Sequence, residues 1–335
     1  MRQPFLFYIP HRMNTLSIRI FTSTKSALFK ARKTIWWLLK IIIPISLLVS
    51  FLQYWGIIAQ IAGVLSPAFS LIGLPGESAV VFITSIFLPL YGPIAIISTL
   101  PLDMREITIL AIMCLISHNL FVETAVQKKT GSSALSMFFL RLSMSIIAAI
   151  ILNRLLPENT GSSHVVQQSL KFSNVQDMLS SWVINTGFLA LKISLIVGGL
   201  MILQNILKEF NILILIAKIF APLMRIMGLS SDSSFLWFIA QTLGLAYGSA
   251  IMIEDVENKT ISLKDANLLN YHIAINHSLL EDTLLFAAIG VPAGWIISTR
   301  VILAILIVWC VRGISKLKFI DRRLNSASKV LVSKN

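Results

Sequence analysis

Long apolar runs recur along this chain and are separated by short stretches rich in charged or turn-forming residues. Five of these runs are 41–52, 78–100, 142–152, 193–206 and 301–311, and the second of them contains no charged residue. A helix needs about 20 predominantly apolar residues to cross the hydrocarbon core of a bilayer. The alternating segments of about 10 residues that a membrane β-barrel requires do not occur. The pattern therefore predicts an all-α polytopic membrane protein.

Six apolar stretches are predicted to span the membrane. They are 36–55, 106–124, 134–155, 186–206, 266–284 and 294–312. Two further apolar stretches, 78–100 and 235–253, are interrupted, the first by Pro89 and Gly92 and the second by Gly244. Proline and glycine at membrane depth are tolerated where the backbone faces protein or a water-filled cavity. We therefore expect re-entrant helical hairpins there; ten spans are the alternative if every piece crosses.

The second half of the chain repeats the first. Residues 116–124 read ISHNLFVET, and residues 275–283, which lie 159 positions later, read INHSLLEDT. An arginine follows each histidine of this motif by 23 residues, at Arg141 and Arg300. Internal repeats with ionisable residues in apolar surroundings are typical of transporter folds, whose sites lie at the repeat interface.

The repeat extends beyond the histidine motif and divides the chain into five parts. The turn GLPGE at 73–77, for example, is matched by GLSSD at 228–232. The parts are a basic N-terminal segment 1–34, a first repeat 35–156, a polar linker 157–186, a second repeat 187–313 and a basic tail 314–335.

The placement of charge predicts how the chain sits in the membrane. The chain is 56% hydrophobic and 13% charged, with a net charge of +13. Seven Lys or Arg residues precede residue 35 and seven lie from Arg312 to the end, whereas the linker carries Lys171 as its basic residue. Basic segments that flank apolar spans stay on the cytoplasmic side. We therefore expect the lipid bilayer and no nucleic acid as partner, both termini in the cytoplasm, and the linker outside.

Each repeat then crosses the membrane an odd number of times, which makes the two repeats inverted in topology. Matching loops have opposite charge bias. Residues 55–77 contain no Lys or Arg, whereas the equivalent 207–228 contain three; residues 127–130 contain two lysines, whereas 287–294 contain no charge. The positive charge changes sides between the repeats, as inversion requires.

The repeated motif supplies the candidate solute-binding residues. On a helix, Asn119 and Glu123 share a face, and Ser278 and Asp282 do the same. The candidate set is His118, Asn119, Glu123, Thr124, His277, Ser278, Asp282 and Thr283.

Each candidate carboxylate has a predicted arginine partner. Glu123 and Arg141 are equidistant from residue 132, and Asp282 and Arg300 from residue 291. In an antiparallel hairpin, equidistant residues lie at equal depth, and charges inside a bilayer need a partner or a watery cavity. The two pairs are either structural ion pairs or part of the binding site, and the sequence leaves both open.

Other polar residues of the repeats also have two interpretations. The two histidines, His118 and His277, either bind solute or relay protons, or they only bond a carbonyl at a helix interface. Glu77 and Asp232 lie at the predicted hairpin entrances, where they either contact solute or act as helix N-caps.

Enzymatic motifs are missing from the sequence. It contains no Gly-Xaa-Ser-Xaa-Gly elbow, no phosphate-binding Gly-Lys-Ser/Thr loop and no His-Glu-Xaa-Xaa-His. We therefore expect no enzyme, no cofactor and no resident metal, with Na⁺ or H⁺ as the coupling ion. A metal site that joins His118 and Glu123 to His277 and Asp282 is an alternative, ranked below an organic solute.

The turn at 73–77 and the two histidine motifs resemble the nucleoside recognition, or Gate, domain family. That family is related to spore maturation membrane proteins, the gate of bacterial ferrous-iron transporters and concentrative nucleoside transporters. The resemblance covers nearly all of 36–313, as two Gate-like repeats. It implies a bacterial inner-membrane protein whose hairpins and broken helices frame the path of a small solute. In nucleoside transporters of similar design, hairpin-tip groups and paired Asn and Glu side chains hold the nucleoside.

By position, the residues that match this family pattern are Asn119, Glu123, Ser278 and Asp282. The leading hypothesis is a transporter that moves a small polar solute, such as a nucleoside, by alternating access, with Glu123 and Asp282 coupling to the ion. One alternative is a non-transporting component of a homo-oligomer or of a complex with a membrane partner protein. The other is a metal-ion gate.

Overall fold

The computed structural model describes residues 14–158 and 172–332, and within them the side chains of 16–316 apart from Ala246. These ranges are helical and contain no strand, so the predicted all-α fold is confirmed. The first repeat contains α1 (Asn14–Tyr54), α2 (Ile57–Ser70), α3 (Ser78–Phe87), α4 (Tyr91–Ile97), α5 (Met104–Ser117), α6 (Leu120–Lys129) and α7 (Ala134–Leu155). The second contains α8 (Val175–Glu209), α9 (Ile212–Ile226), α10 (Ser234–Leu243), α11 (Leu245–Glu257), α12 (Leu263–Ile275), α13 (Leu279–Ala287) and α14 (Ala293–Val332).

Five helical segments of the described ranges are long and apolar enough to cross a membrane. They are Leu16–Tyr54, Met104–Lys129, Ala134–Leu155, Val175–Glu209 and Ala293–Lys316. Each contains most of one predicted span. Two predicted spans are each divided between two helices: 106–124 between α5 and α6, and 266–284 between their counterparts α12 and α13. Large apolar side chains such as Trp36, Leu195 and Leu306 are exposed on the long helices, as lipid contact requires.

Helices run through parts of the predicted polar segments. Residues 14–34 belong to α1, and α14 continues through the predicted tail to Val332. Lysine and arginine are good helix formers, so a basic segment need not end a helix. Helix α8 begins within the predicted linker, at Val175, where the Asn174 side chain accepts a hydrogen bond from the backbone N–H of Asp177. The other parts of these predicted segments, at 1–13, 159–171 and 333–335, lie outside the described residues.

The first helices of the two repeats, α1 and α8, lie side by side and run in opposite directions. Near the start of α1, Arg19 Nε donates a hydrogen bond to Glu209 Oε1, at the end of α8, over 2.9 Å. Near the end of α1, Ser46 Oγ accepts a hydrogen bond from Trp182 Nε1, near the start of α8, at 3.0 Å. Equivalent helices of inverted repeats must run antiparallel, so this pairing is consistent with the predicted inversion.

Each repeat contains a helical hairpin that is too short to cross the membrane. Helices α3 and α4 have 10 and 7 residues, and α10 and α11 have 10 and 13. At about 1.5 Å per residue, none of them reaches across a core about 30 Å thick. Pro89 lies between α3 and α4, and Gly244, with φ 85°, lies between α10 and α11. The re-entrant arrangement predicted from these interruptions is present in both repeats.

Candidate functional site

Both histidine motifs lie at breaks between two short helices. The sequence predicted one continuous helix through each motif, and this was wrong. Asn119 and Ser278 have left-handed backbone conformations, with φ of 48° and 49°, and they are the N-cap residues of α6 and α13. Such a conformation is uncommon for residues other than glycine and often marks a functional site. The motifs contain neither glycine nor proline, so the sequence carries no local signal for the break.

The hairpins bond the backbone at each break. The Asn119 N–H donates to the carbonyl oxygen of Ser85 in α3 at 2.8 Å, and the Ser278 N–H donates to the carbonyl oxygen of Ala240 in α10 at 2.9 Å. These bonds satisfy backbone groups that a break would otherwise leave unpaired inside the protein. The hairpins therefore hold the broken helices at the same point in both repeats.

The predicted arginines satisfy the carbonyl groups at the ends of α5 and α12. Arg141 donates from Nε to Ile116 O and from Nη2 to His118 O, both at 2.8 Å. Arg300 makes the equivalent two bonds in the second repeat, at 3.2 and 2.5 Å. The last carbonyls of a helix lack partners within the helix, and a cation is favourable beside them. Both guanidiniums are 0% exposed, so they are structural parts of the breaks.

The same arginines form the two ion pairs that the spacing predicted. Arg141 Nη2 is 2.7 Å from Glu123 Oε2, and Arg300 Nη2 is 3.2 Å from Asp282 Oδ2. Each carboxylate lies in the first turn of the second short helix, α6 or α13. The positive end of that helix and the guanidinium thus both face the carboxylate, which favours its negative charge.

The two histidines meet between the repeats. Their ring centroids are 5.3 Å apart, so two equivalent residues are in contact, which places them on the local symmetry axis. His118 Nε2 is 3.2 Å from Glu123 Oε1, and His277 Nε2 is 3.4 Å from Glu123 Oε2. Glu123 therefore contacts histidines from both repeats.

The carboxylate of the second repeat does not copy this arrangement. Asp282 is one methylene shorter than Glu123, and its ion pair within the described residues is with Arg300 alone. His118, Glu123 and His277 form a group whose potential metal-ligand atoms all lie within 4.8 Å of one another. Of the four residues in the predicted alternative metal site, Asp282 is therefore not part of this group, and the other three are.

The two threonines of the motifs are buried, whereas Asn119 and Ser278 are partly exposed. Thr124 and Thr283 are 5% and 7% exposed, and their hydroxyl groups have no hydrogen-bond partner among the described residues. The side-chain amide of Asn276, which precedes His277, is also buried without a partner there. Free donors and acceptors next to buried charges are what a bound polar solute would satisfy.

Glu77 and Asp232 lie apart from this cluster. Glu77 is the residue before α3 and makes no side-chain capping bond, whereas Asp232 is exposed in a short 3-10 turn, Ser231–Ser233, before α10. Neither forms an ion pair or a hydrogen bond with the histidine cluster within the described ranges. Their contact with a solute stays a prediction.

Sequence reasoning missed one polar contact between the repeats. Tyr91, at the start of α4, donates a hydrogen bond to Glu281 Oε1 over 2.7 Å. Glu281 is in the repeated motif but aligns with Val122, so the repeat gave it no counterpart. A tyrosine and a glutamate inside apolar segments were the available signal, because buried polar side chains need partners.

A polar network also joins the repeats next to the site. Asn270 of α12 donates from Nδ2 to Thr130 Oγ1 and to Ser132 Oγ, both at 2.9 Å. Ser132 Oγ in turn donates to Asn267 Oδ1 at 2.6 Å. These residues close the interface between the α6–α7 turn and α12 in the observed state.

Comparison with known proteins places the chain among membrane proteins. The family described as nucleoside recognition (Gate) matches residues 35–155, which is the first repeat. The chain is 30% identical over 278 residues to YvoD, a protein of Bacillus subtilis (strain 168) described as an uncharacterized membrane protein. That match covers 82% of this chain and 89% of YvoD. No solved structure matches the chain significantly.

Proposed function

This chain belongs to the nucleoside recognition (Gate) family of membrane proteins, and we propose that it transports a small polar solute across the bacterial inner membrane. A nucleoside is the first candidate solute. The proposed site is the cluster between the two repeats, and the proposed orientation has both termini in the cytoplasm, which the charge distribution favours.

The observation that carries this proposal is the duplicated, buried polar cluster on the local symmetry axis. Charged side chains inside a membrane are costly, and they usually line an ion or substrate pathway. Here two carboxylates, two arginines and two histidines come together from both repeats. The hydroxyls of Thr124 and Thr283 and the amide of Asn276 offer unused hydrogen bonds to the hydroxyl and amide groups of a solute.

The proposed mechanism is alternating access. The cluster is closed in the observed state, since Asp282 and both histidines are at most 6% exposed. One repeat would rotate against the other and open the cluster to one side of the membrane at a time. The arginines stay bonded to their own α5 and α12 carbonyls, so each repeat moves as a unit. Glu123 and Asp282 would exchange a proton or Na⁺ as the cluster opens.

Uptake by purified protein in proteoliposomes tests the proposal. A labelled nucleoside panel is offered under an imposed Na⁺ or H⁺ gradient, with the full chain reconstituted. We expect gradient-dependent accumulation that Asp282→Asn abolishes while the protein remains folded. The matched control is Asp177→Asn, an exposed aspartate in the first turn of α8, which should transport normally.

Two results would contradict this proposal. A folded Asp282→Asn protein with normal uptake would remove Asp282 from the mechanism. No uptake of any solute in the panel, together with a stoichiometric membrane partner on purification, would favour a component of a larger complex.

A further inference from the structure

Backbone bonds fix the tautomer of both histidines at the repeat interface. His118 Nδ1 is 3.1 Å from Cys114 O, and His277 Nδ1 is 2.8 Å from Ile273 O. A carbonyl oxygen only accepts hydrogen bonds, so each Nδ1 must carry the hydrogen. In a neutral imidazole of this tautomer, Nε2 has a free lone pair.

Both Nε2 atoms face the carboxylate of Glu123, which also has only lone pairs to offer. The separations are 3.2 Å for His118 and 3.4 Å for His277. His277 Nε2 is buried and has no hydrogen-bond partner among the described residues, whereas Glu123 Oε2 is also 2.7 Å from Arg141 Nη2. Lone pairs that converge in a buried place repel each other strongly. A positive species between them, either protons on Nε2 or a metal ion, would remove this repulsion.

The geometry fits a transition-metal ion. Zinc binds nitrogen and oxygen ligands at about 2.0–2.2 Å, so two ligand atoms of a tetrahedral site are roughly 3.3 Å apart. The separations above, 3.2 Å from His118 to Oε1 and 3.4 Å from His277 to Oε2, are close to that edge length, and one ligand atom from each of the three residues lies within 4.8 Å of the others. Metal-binding histidines commonly donate their other nitrogen to a backbone carbonyl, as both do here. Imidazole nitrogen suits zinc or iron, whereas calcium and magnesium prefer oxygen ligands alone.

We propose that His118, Glu123 and His277 together bind one divalent transition-metal ion of the zinc class between the two repeats. Glu123 has enough acceptor positions for both partners, because each carboxylate oxygen has two lone pairs: Oε2 can accept from Arg141, 2.7 Å away, and still face the ion together with Oε1. A fourth position is left for water or a solute atom.

The charges near the cluster also allow a cation. The two arginine–carboxylate pairs balance each other. Glu281, the residue before Asp282, accepts a hydrogen bond from Tyr91 but has no ion-pair partner among the described residues. A carboxylate without a basic partner offsets part of the charge that a divalent ion would bring.

Equilibrium zinc binding tests this proposal independently of transport. The full-length protein is purified in detergent, stripped with a chelator, and dialysed against Zn²⁺ at mildly alkaline pH. Bound metal is then counted by mass spectrometry. We expect one Zn²⁺ per chain, and an affinity about 100-fold weaker in His118→Gln and in His277→Gln, since the loss of outer-shell partners alone costs 10–100-fold.

Two control variants separate this site from its surroundings. His272→Gln removes another buried imidazole of α12, one whose Nδ1 accepts from Trp237 Nε1 at 3.3 Å, and it should bind zinc as wild type does. Asp282→Asn should also keep zinc while it loses uptake, which distinguishes failure of the metal site from failure of the proposed transport.

Zinc binding that is absent in the wild type, or undiminished in the His118→Gln/His277→Gln double variant, would overturn the proposal. If zinc does not bind, the positive species between the two Nε2 atoms and Glu123 would be protons and not a metal ion. X-ray absorption spectroscopy of the zinc-loaded wild type tests the site without any variant. We expect imidazole scattering from two histidines, and a spectrum without it would contradict the site.

Discussion

Arg141 and Arg300 show how single residues can be predicted while their roles are not. Spacing from the hairpin turn predicted that each would meet a carboxylate, and both pairs form. No sequence pattern indicated that the same side chains bond the carbonyl groups at the ends of α5 and α12, because a helix break at Asn119 or Ser278 has no local marker. Backbone partners depend on three-dimensional packing, which a pattern of residue types does not record.

The two arginines make the breaks sensitive to substitution. Arg141→Ala or Arg300→Ala would leave a buried carboxylate without its partner and remove bonds to two carbonyls. We expect each to destabilise the protein by about 3–5 kcal/mol, as loss of one member of a buried ion pair does. Thermal unfolding of the purified variants measures this. Arg154→Ala, an exposed arginine near the end of α7, is the control and should unfold like wild type.

The hairpins were predicted correctly as elements, from residues that disrupt helices. Pro89 and Gly244 lie at the turns between their two helices, as expected, whereas Gly92 lies inside α4. The spans 106–124 and 266–284 were predicted as continuous because neither contains glycine or proline; the breaks after α5 and α12 are stabilised by the bonds from Asn119 to α3 and from Ser278 to α10. The apolar stretches therefore identified each element, but not the neighbouring helix that bonds the backbone at the break.

The approach of the first hairpin to α2 depends on Gly76. A Cβ atom at this position would be 2.1 Å from the carbonyl oxygen of Ala62, so the backbone must shift to accommodate it. We expect Gly76→Ala to destabilise the protein by about 1–3 kcal/mol, as overpacking does. Gly63→Ala, in α2, meets nothing within 4 Å and should not destabilise the protein, since alanine is favoured over glycine inside a helix. Equal unfolding temperatures for the two variants would contradict this packing.

At the level of the whole molecule, the placement of charge predicted that the two repeats are inverted. The antiparallel pairing of α1 with α8 is consistent with this prediction. Sequence alone could not give this contact, since Ser46 and Thr186 have no complementary pattern that marks them as neighbours. Their oxygen atoms, Ser46 Oγ and Thr186 Oγ1, are 3.4 Å apart.

Cysteine cross-linking tests that pairing. In a background without Cys114 and Cys310, Ser46→Cys with Thr186→Cys should form a disulfide on mild oxidation, because the two side chains are in contact. The control pair is Ser46→Cys with Gly198→Cys, since position 198 is the counterpart of 46 in the repeat. Gel mobility after proteolytic cleavage of the linker reads out the bond. A link in the control pair alone would contradict the antiparallel arrangement.

The central claim is that the cluster opens alternately to the two sides of the membrane. Labelling of a cysteine placed within the cluster is its most direct test. Thr283→Cys, in the same cysteine-free background, puts a small thiol in the closed cluster, and Ser145→Cys puts one at a buried position of α7 as control. Membrane-impermeant maleimide is applied to right-side-out and to inside-out vesicles. We expect position 283 to be labelled from both sides and position 145 from neither. If position 283 is never labelled, or is labelled from one side only, the cluster is not the site of an alternating-access transporter.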